Sequence, residues 1–279
     1  MTPSVVVPTR DRAAGLARCL DALAKQQVES LEVVVVDAGS RDRAALDEAL
    51  ERLPTARCLH TVGAGPAAAR NLGARAATGD VVCFTDDDCE PAPGWAGLLA
   101  TAAGETGVAA GRTVAPGNAA TPVVAAQVII DHLLLDSLGL DSTTTFAPSC
   151  NLAVSAELAA RLPFDERFPD AAGEDREWSA RAVAAGAPPR YVRDAIVVHR
   201  QRLDTRGFVR QQYRYGRGAA RFRRLRGERR LLSQPSSYAR LVRAGFERGP
   251  RVGALVVAAQ VVTAAGVAAE AIPRRGGAG

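Results

Sequence analysis

The sequence predicts an α/β protein, with a mostly parallel, Rossmann-like sheet and helices on both of its faces. Two observations predict this fold. Between residues 4 and 90, short apolar runs of strand length alternate with longer segments that carry apolar residues at helical spacing. Each predicted strand also ends in a polar loop, and in an open parallel sheet such loops share the edge at which ligands bind.

The first half contains four predicted strands, at residues 4–8, 32–37, 57–62 and 81–85. The unbroken valines at 33–36 are typical of a central parallel strand that is covered on both faces. The predicted helices are residues 13–26, 41–53 and 66–77. Ser40 is a candidate N-cap for the second of these helices, and Pro66 suits the first turn of the third.

The second half alternates less regularly. Residues 95–103, 122–138 and 176–185 are predicted helices, and residues 108–114 are a predicted strand. Residues 143–154 resemble a strand interrupted at Pro148, and a last predicted strand, 191–199, ends on His199.

Composition narrows the class of protein. A chain of 279 residues with 47% hydrophobic content can bury a full core. The odd count of five cysteines and the lack of a Cys-x-x-Cys pair predict reduced, buried thiols in the cytoplasm, rather than disulfides or a zinc site. The apolar run before Pro8 is too short for a signal peptide.

Three carboxylates, Asp86 to Asp88, directly follow the predicted strand 81–85. Adjacent negative charges need solvation, a cation or hydrogen-bond donors. A solvated turn that caps the next helix is one interpretation, and a hard divalent cation is the other. Asp11 and Asp37 follow two other strands, which favours one shared ligand site. The sequence lacks both the Gly-x-Gly-x-x-Gly motif after the first strand and the P-loop motif.

Two further candidates lie later in the chain. Glu174 and Asp175 stand at a predicted helix start, where acids also stabilise the helix dipole without any further role. His199 ends the last predicted strand, and a lone histidine is commonly a buried, hydrogen-bonded residue.

Seven short motifs, taken in order, resemble those of family 2 glycosyltransferases, which have the GT-A fold and transfer a sugar from a nucleotide-diphosphate donor with inversion. The resemblance covers roughly residues 3 to 200. It is carried by residues 4–9 (SVVVPT), 34–40 (VVVDAGS), 69–73 (ARNLG), 84–88 (FTDDD), 150–151 (CN), 173–175 (GED) and 197–199 (VVH).

The resemblance implies a role for each motif. The donor-binding residues would be Pro8, Thr9, Arg10, Asp11, Asp37, Arg70, Asn71, Asp86 and Asp87. Ala38 replaces a second aspartate that is common in the family, which leaves the choice of nucleotide open. Mn²⁺ or Mg²⁺ on the diphosphate would be held by Asp86, Asp88 and His199. Asp175 would be the general base, with Glu174 beside it. Asn151 and Trp178 would lie in the acceptor region, although Trp178 also fits the core of its helix.

The predicted glycosyltransferase domain is residues 1–204, and the chain after it is basic and helical. Residues 205–250 are rich in arginine, and this segment could be a solvated face, bind nucleic acid, or contact anionic lipid or phosphate. Arg210, Arg214 and Arg217 are candidates to close over the donor diphosphate, as a similar segment does in some family members. Residues 251–272 form a predicted apolar helix that could span a membrane, lie on it or pack on the protein. Residues 273–279 are predicted to be disordered.

The prediction is therefore a cytoplasmic inverting glycosyltransferase with a hydroxyl acceptor (a lipid, a saccharide or a small molecule). It would sit at the cytoplasmic face of the cell membrane if the apolar helix contacts lipid. A nucleotidylyltransferase is the alternative enzyme, but residues 8–11 lack the Gly-rich loop expected of one. A nucleic-acid-binding protein would leave the strand-end acids unexplained, so no nucleic acid is expected.

Overall fold

The computed structural model describes residues 1–168, 171–227 and 235–271. In these residues eight strands form one sheet in the order β3-β2-β1-β4-β7-β6-β8-β5. The strands are β1 (Pro3–Thr9), β2 (Glu32–Asp37), β3 (Arg57–His60), β4 (Val81–Thr85), β5 (Cys89–Pro91), β6 (Val108–Val114), β7 (Asn151–Ser155) and β8 (Arg190–His199).

Ten helices accompany the sheet in the same described ranges. They are α1 (Ala13–Leu23), α2 (Arg43–Leu50), α3 (Pro66–Ala76), α4 (Trp95–Thr106), α5 (Thr121–Leu135), α6 (Ala156–Arg161), α7 (Glu174–Ala184), α8 (Thr205–Arg226), α9 (Pro235–Glu247) and α10 (Pro250–Ala271).

The first half of the sheet is parallel, as predicted. β1 pairs in parallel with β2 and β4, and β2 pairs in parallel with β3. β7 then runs antiparallel to both β4 and β6, and β5 runs antiparallel to β8. The α/β class is confirmed, and the sheet as a whole is mixed.

The valine runs of β1 and β2 divide the core between the two faces of the sheet. Side chains alternate in direction along a strand, so Val5 and Val33 face one way while Val6 and Val34 face the other. The first pair packs in a cluster with α1 and α4, and the second packs in a cluster that includes residues of α3. Apolar side chains therefore cover both faces of β1 and β2.

Several predicted elements have different bounds in the structure. α2 begins at Arg43, because Asp42 caps it by accepting a hydrogen bond from Ala45 N at 2.9 Å. Only the end of the predicted strand 143–154 is a strand, β7. A turn around Pro148, with Asn151 N bonded to Pro148 O, interrupts the chain before it, and Thr143 makes only an isolated bridge to Arg190. Helix 122–138 is shorter than predicted, ending at Leu135.

The chain divides into two compact units. The first is Met1–Gly117 with Leu133–Gln201, and the second is Asn118–His132 with Arg202–Gly279. Residues 118–132 were predicted within the first domain, but they belong to the second unit because Ala125 and Val128 pack in one cluster with Phe208 and Val256. The predicted disordered tail, 273–279, and residue 272 lie outside the described residues.

Within the second unit, α10 lies closely against α8. A Cβ atom on Gly216 would stand 2.1 Å from Thr263 O, and one on Gly266 would stand 2.2 Å from Tyr213 O. Glu270 of α10 also accepts hydrogen bonds from Arg217 and Arg221 of α8. These contacts hold the apolar helix along the arginine-rich one.

Candidate active site

The acidic loop after β4 is tied to the loop after β1 by Asp87. Its carboxylate accepts hydrogen bonds from Thr9 Oγ1 at 2.8 Å and from Arg12 Nη1 at 2.7 Å. Burial raises the pKa of Asp87 to about 6, even though the Arg12 charge opposes that shift. Asp87 is therefore an internal link between two strand ends, with both of its oxygens engaged.

Asp88 turns toward the end of β8. It accepts a hydrogen bond from Arg12 Nη2 at 2.9 Å, and its Oδ1 lies 3.1 Å from His199 Nε2. Burial alone would raise the pKa of Asp88, but the hydrogen bond and charge of His199, together with Arg12, lower it to about 2. Asp88 is thus held as a carboxylate.

Asp86 connects the acidic loop to α3 and α7 through Arg70. Arg70 is only 2% exposed, and it donates from Nη2 to Asp86 at 2.6 Å and from Nη1 to Glu174 at 3.3 Å. Its guanidinium also lies 5.7 Å from the centre of the Phe164 ring. One buried arginine therefore brings together carboxylates that are 88 positions apart in the sequence.

The start of α7 carries the second acidic pair. Gly173 precedes it at φ +96°, a conformation that favours glycine, and Glu174 and Asp175 follow in the first turn. Burial raises the pKa of Glu174, as does the neighbouring Asp175. Burial also raises the pKa of Asp175, against the charges of Arg176 and Arg70. Glu174 faces Arg70, whereas Asp175 is partly exposed.

Asp86, Asp88 and His199 form a group suited to a divalent cation. Their ligand atoms all lie within 4.8 Å of one another. Asp88 Oδ1 is buried and lies 3.1 Å from His199 Nε2, so it faces the third member of the group. Two carboxylates and an imidazole suit Mn²⁺ or Mg²⁺ chemically. The residues present therefore fit such an ion.

The loops after β1 and β2 meet beside this group. Ser40 Oγ accepts from Asp11 N at 2.9 Å, and Asp11, at φ +56°, accepts from Arg41. Asp37 is fully buried and accepts from Ser40 N at 2.8 Å and from Arg43 Nη1 at 2.5 Å. A cavity of about 400 Å³ lies along these loops, lined by residues that include Asp11, Arg12, Ser40, Arg41 and Asp42. Arg10, beside it in the chain, is exposed, and Pro8 lies within β1.

Three other predicted site residues make internal contacts. Asn71 bonds through its amide to the backbone of Phe164. Asn151 accepts from Trp95 Nε1 at 2.8 Å and is fully buried. Trp178 is 1% exposed and donates to Leu162 O, which confirms its core interpretation. Direct acceptor contact by the side chains of Asn151 or Trp178 would require them to leave these partners.

Sequence reasoning missed three residues that contact the site aspartates. Arg12 pairs with Asp87 and Asp88, while Arg43 and His60 both contact Asp37. Arg12 stands in the same polar loop as Asp11. Because the loops after the first and fourth strands were predicted to share one edge of the sheet, the sequence did indicate that Arg12 could approach the acidic loop. Arg43 and His60 carry no such signal, because their roles depend on where α2 begins and how β3 pairs.

A family model described as glycosyl transferase family 2 matches residues 4–157, more than half of the chain. The chain belongs to this family. Its fold is the GT-A fold. The chain is 32% identical over 225 residues to the pre-mycofactocin glycosyltransferase of Mycobacterium tuberculosis, a match that covers 78% of this chain and 46% of that protein. It is 27% identical over 226 residues to glycosyltransferase AglE of Haloferax volcanii, covering 77% of this chain and 72% of that one.

Solved structures share the fold. The mannosyltransferase PcManGT from Pyrobaculum calidifontis, solved with GDP-Man and Mn²⁺, has a TM-score of 0.62 at 22% identity, covering 97% of this chain and 76% of that one. Staphylococcus aureus TarS 1–349, solved with UDP-GlcNAc, has a TM-score of 0.57 at 17% identity, covering 96% and 89%. The chain spans about half the length of the first curated relatives that it matches.

Proposed function

We propose that this glycosyltransferase moves a sugar from a nucleotide-diphosphate donor to a hydroxyl acceptor with inversion at the anomeric carbon. The observation that best supports this proposal is that Arg70 forms ion pairs with both Asp86 of the acidic loop and Glu174 at the start of α7. This bridge puts the candidate cation group and the candidate base in one region of the first unit. The enzyme can then bind the leaving group and activate the acceptor within one site.

The donor would lie along the loops after β1, β2 and β4. The cavity there has Asp11 and Ser40 in its wall, and Thr9 and Asp37 are the last residues of β1 and β2. PcManGT and TarS were solved with GDP-Man and UDP-GlcNAc, which supports a nucleotide sugar as the donor class. Arg12 and Arg70 place positive charge beside the acids, where a diphosphate would otherwise be repelled.

Asp86, Asp88 and His199 would hold the cation, with Mn²⁺ and Mg²⁺ as the candidates. The Mn²⁺ in the PcManGT complex supports this assignment. When bound, the ion supplies Lewis-acid neutralisation of the charge that develops on the departing diphosphate. The chain's own contribution is to keep Asp88 ionised through Arg12 and His199.

Asp175 is the proposed general base. Glu174 faces buried Arg70 through one oxygen, whereas Asp175 is a partly exposed residue at the helix start. Its raised pKa makes it a stronger proton acceptor than an ordinary aspartate. A single base opposite the leaving group supports one displacement, and therefore inversion.

The donor and cation proposals can be tested together by thermal shift. We expect Mn²⁺ with UDP- or GDP-sugars to raise the Tm of the full chain, because a ligand of the native state stabilises it by about 2.7 kcal/mol at 100 times its Kd. Neither the sugar without Mn²⁺ nor Mn²⁺ alone should give the full shift. The variant Glu29→Gln removes one negative charge at an exposed position outside the proposed site, and it should show the same shift in Tm as the wild type. Equal Tm values with and without every nucleotide sugar would contradict the proposal.

We further propose a cytoplasmic enzyme whose second unit associates with anionic membrane surfaces. In the described residues, Pro250–Ala271 is the helix long and apolar enough to cross a membrane, and 28% of its apolar window is buried. Its contacts with α8 favour lying on the surface over spanning. Val257 and Val261 are exposed on α10, with Val261 at 69%, and α8 exposes Arg206, Arg210 and Arg214. Arg217, in contrast, is paired with Glu270.

Vesicle sedimentation checks the membrane proposal. The full chain should sediment with vesicles that contain anionic lipid, and less so with neutral ones or at high salt. Changing Val257 and Val261 to Asp should abolish sedimentation, because charges on the apolar face oppose burial in the interface. Val62→Asp, at a valine of the first unit that is even more exposed, should not change it. Undiminished sedimentation of the double variant would remove α10 as the contact.

A further inference from the structure

Two cysteines and His199 converge beside the acidic loop. Cys89 is the first residue of β5 and is paired directly with His199, the last residue of β8, in the antiparallel ladder. Cys150 comes immediately before β7. The two sulfur atoms and one imidazole nitrogen all lie within 4.8 Å of one another. Strand register, rather than sequence spacing, therefore assembles this group.

We propose that Cys89, Cys150 and His199 form a binding site for a soft divalent cation of the zinc type, separate in chemistry from the carboxylate site. Thiolates and imidazole are the ligands that zinc prefers, whereas Mg²⁺ and Mn²⁺ prefer oxygen. Asp88 offers an oxygen for the fourth position, since its buried Oδ1 lies 3.1 Å from His199 Nε2. Two sulfurs, one nitrogen and one carboxylate oxygen would complete a tetrahedral set.

The geometry needs only a small adjustment to accept the ion. Zn–S bonds of about 2.3 Å and Zn–N bonds of about 2.0 Å place tetrahedral ligand atoms about 3.5–3.8 Å apart. The three atoms are already within 4.8 Å of one another, so binding requires each pair to approach by about 1 Å at most. All five cysteines are free, so both thiols are available. On binding, each thiol that is still protonated loses its proton to solvent, and no electron is transferred.

The proposal revises what cysteine spacing predicted. The lack of a Cys-x-x-Cys pair argued against a zinc site, because that rule detects ligands that are close in sequence. Here the ligands stand at positions 89, 150 and 199, brought together by the pairing of β5 with β8 and by the turn before β7.

A consequence follows for the proposed donor site, and it rests on the proposed function. His199 belongs both to the thiol group and to the group with Asp86 and Asp88. An ion that takes His199 and Asp88 into the thiol site removes two ligands from the carboxylate site. Zn²⁺ should therefore inhibit Mn²⁺-dependent transfer by competing for ligands.

Cobalt is the probe for the thiol site, because Co²⁺ bound by thiolates absorbs through sulfur-to-metal charge transfer. Full-length reduced protein should develop this band with one Co²⁺ per chain, and Zn²⁺ should bleach it. Cys89→Ser and Cys150→Ser should each lose the band. Cys58→Ser, at a half-buried thiol of β3, should retain it. A wild-type protein without the band, or a band that survives both serine variants, would overturn the site.

Two further measurements distinguish a failure of the ion-site proposal from a failure of the proposed function. Asp86→Asn should keep the cobalt band while losing Mn²⁺-dependent donor binding, which supports two sites of different chemistry. Zn²⁺ should inhibit transfer about tenfold more weakly in Cys150→Ser than in wild type. If the wild-type protein shows the cobalt band but transfers no sugar, the result would support the ion site and contradict the proposed function. Equal zinc inhibition in both proteins would overturn the competition.

Discussion

Asp175→Asn is expected to lower kcat by about 10²–10⁴-fold, the range for removing a general base, while leaving Mn²⁺-dependent donor affinity nearly unchanged. Asp175 is a partly exposed residue at the start of α7, next to Glu174, which already faces Arg70. Asparagine keeps the shape and can still accept the hydrogen bond from Arg176 N. It cannot take up the proton of the acceptor hydroxyl, so chemistry fails while binding persists. Single-turnover transfer and donor titration measure the two effects separately.

The pH profile offers a second readout of the same prediction. The base must be unprotonated to work, and burial raises the pKa of both Asp175 and Glu174. The acidic limb of kcat/KM should therefore lie at higher pH than for an ordinary aspartate, with activity lost as pH falls through it. In Asp175→Asn, the remaining slow reaction should lose that limb.

Glu177→Gln is the matched control for this prediction. Glu177 lies on the same helix, and its two oxygens are paired with Arg181 at 2.7 and 2.8 Å. Its loss removes the same charge from the first turn and should leave transfer nearly intact. If Asp175→Asn turned over at the wild-type rate, the base would have to be another group. A comparable loss in both variants would point to damage of α7 instead.

The fold could be predicted to the extent that it depends on local pattern. The uninterrupted valines at 33–36 are typical of a strand covered on both faces, and β2 is such a strand. The acids at 86–88 follow an apolar run, and β4 ends at Thr85 directly before them. The second half was predicted less well. The interruption of residues 143–150 and the reversed direction of β7 depend on pairing with β4 and β6, which are distant in the sequence.

The partners of the acids could not be predicted in the same way. Asp42 rather than Ser40 caps α2, and Ser40 is thereby left to join the loops after β1 and β2. Three adjacent aspartates looked alike in the sequence, yet each has different partners. Arg70 forms an ion pair with Asp86, and Arg12 pairs with both Asp87 and Asp88. His199 also contacts Asp88. Burial raises the pKa of Asp87 to about 6, whereas the hydrogen bond and charge of His199, together with Arg12, lower that of Asp88 to about 2 against the same burial. Such differences arise only once the strand ends meet.

Asp88→Asn is expected to weaken Mn²⁺ binding in the presence of UDP or GDP by about 100-fold or more, since losing even an outer partner of a metal ligand costs about 10–100-fold. Asp88 is the carboxylate with a low pKa and a buried oxygen beside His199, so it is the acid best prepared to hold a cation. The amide keeps the volume but removes the negative charge that Mn²⁺ needs. Calorimetric titration of Mn²⁺ measures the change without relying on activity.

Asp87→Asn is the comparison that makes this test specific, because it removes the same charge from the neighbouring position. Asp87 is engaged by Thr9 and Arg12, and it stands outside the group formed by Asp86, Asp88 and His199. Its variant should lower Tm, since a link between two strand ends is weakened, but should keep Mn²⁺ affinity within a few-fold. If Mn²⁺ affinity survives in Asp88→Asn and falls in Asp87→Asn, the assignment of the cation to Asp88 is wrong. The acidic loop would then bind its ion through Asp87, the residue that connects the loops after β1 and β4.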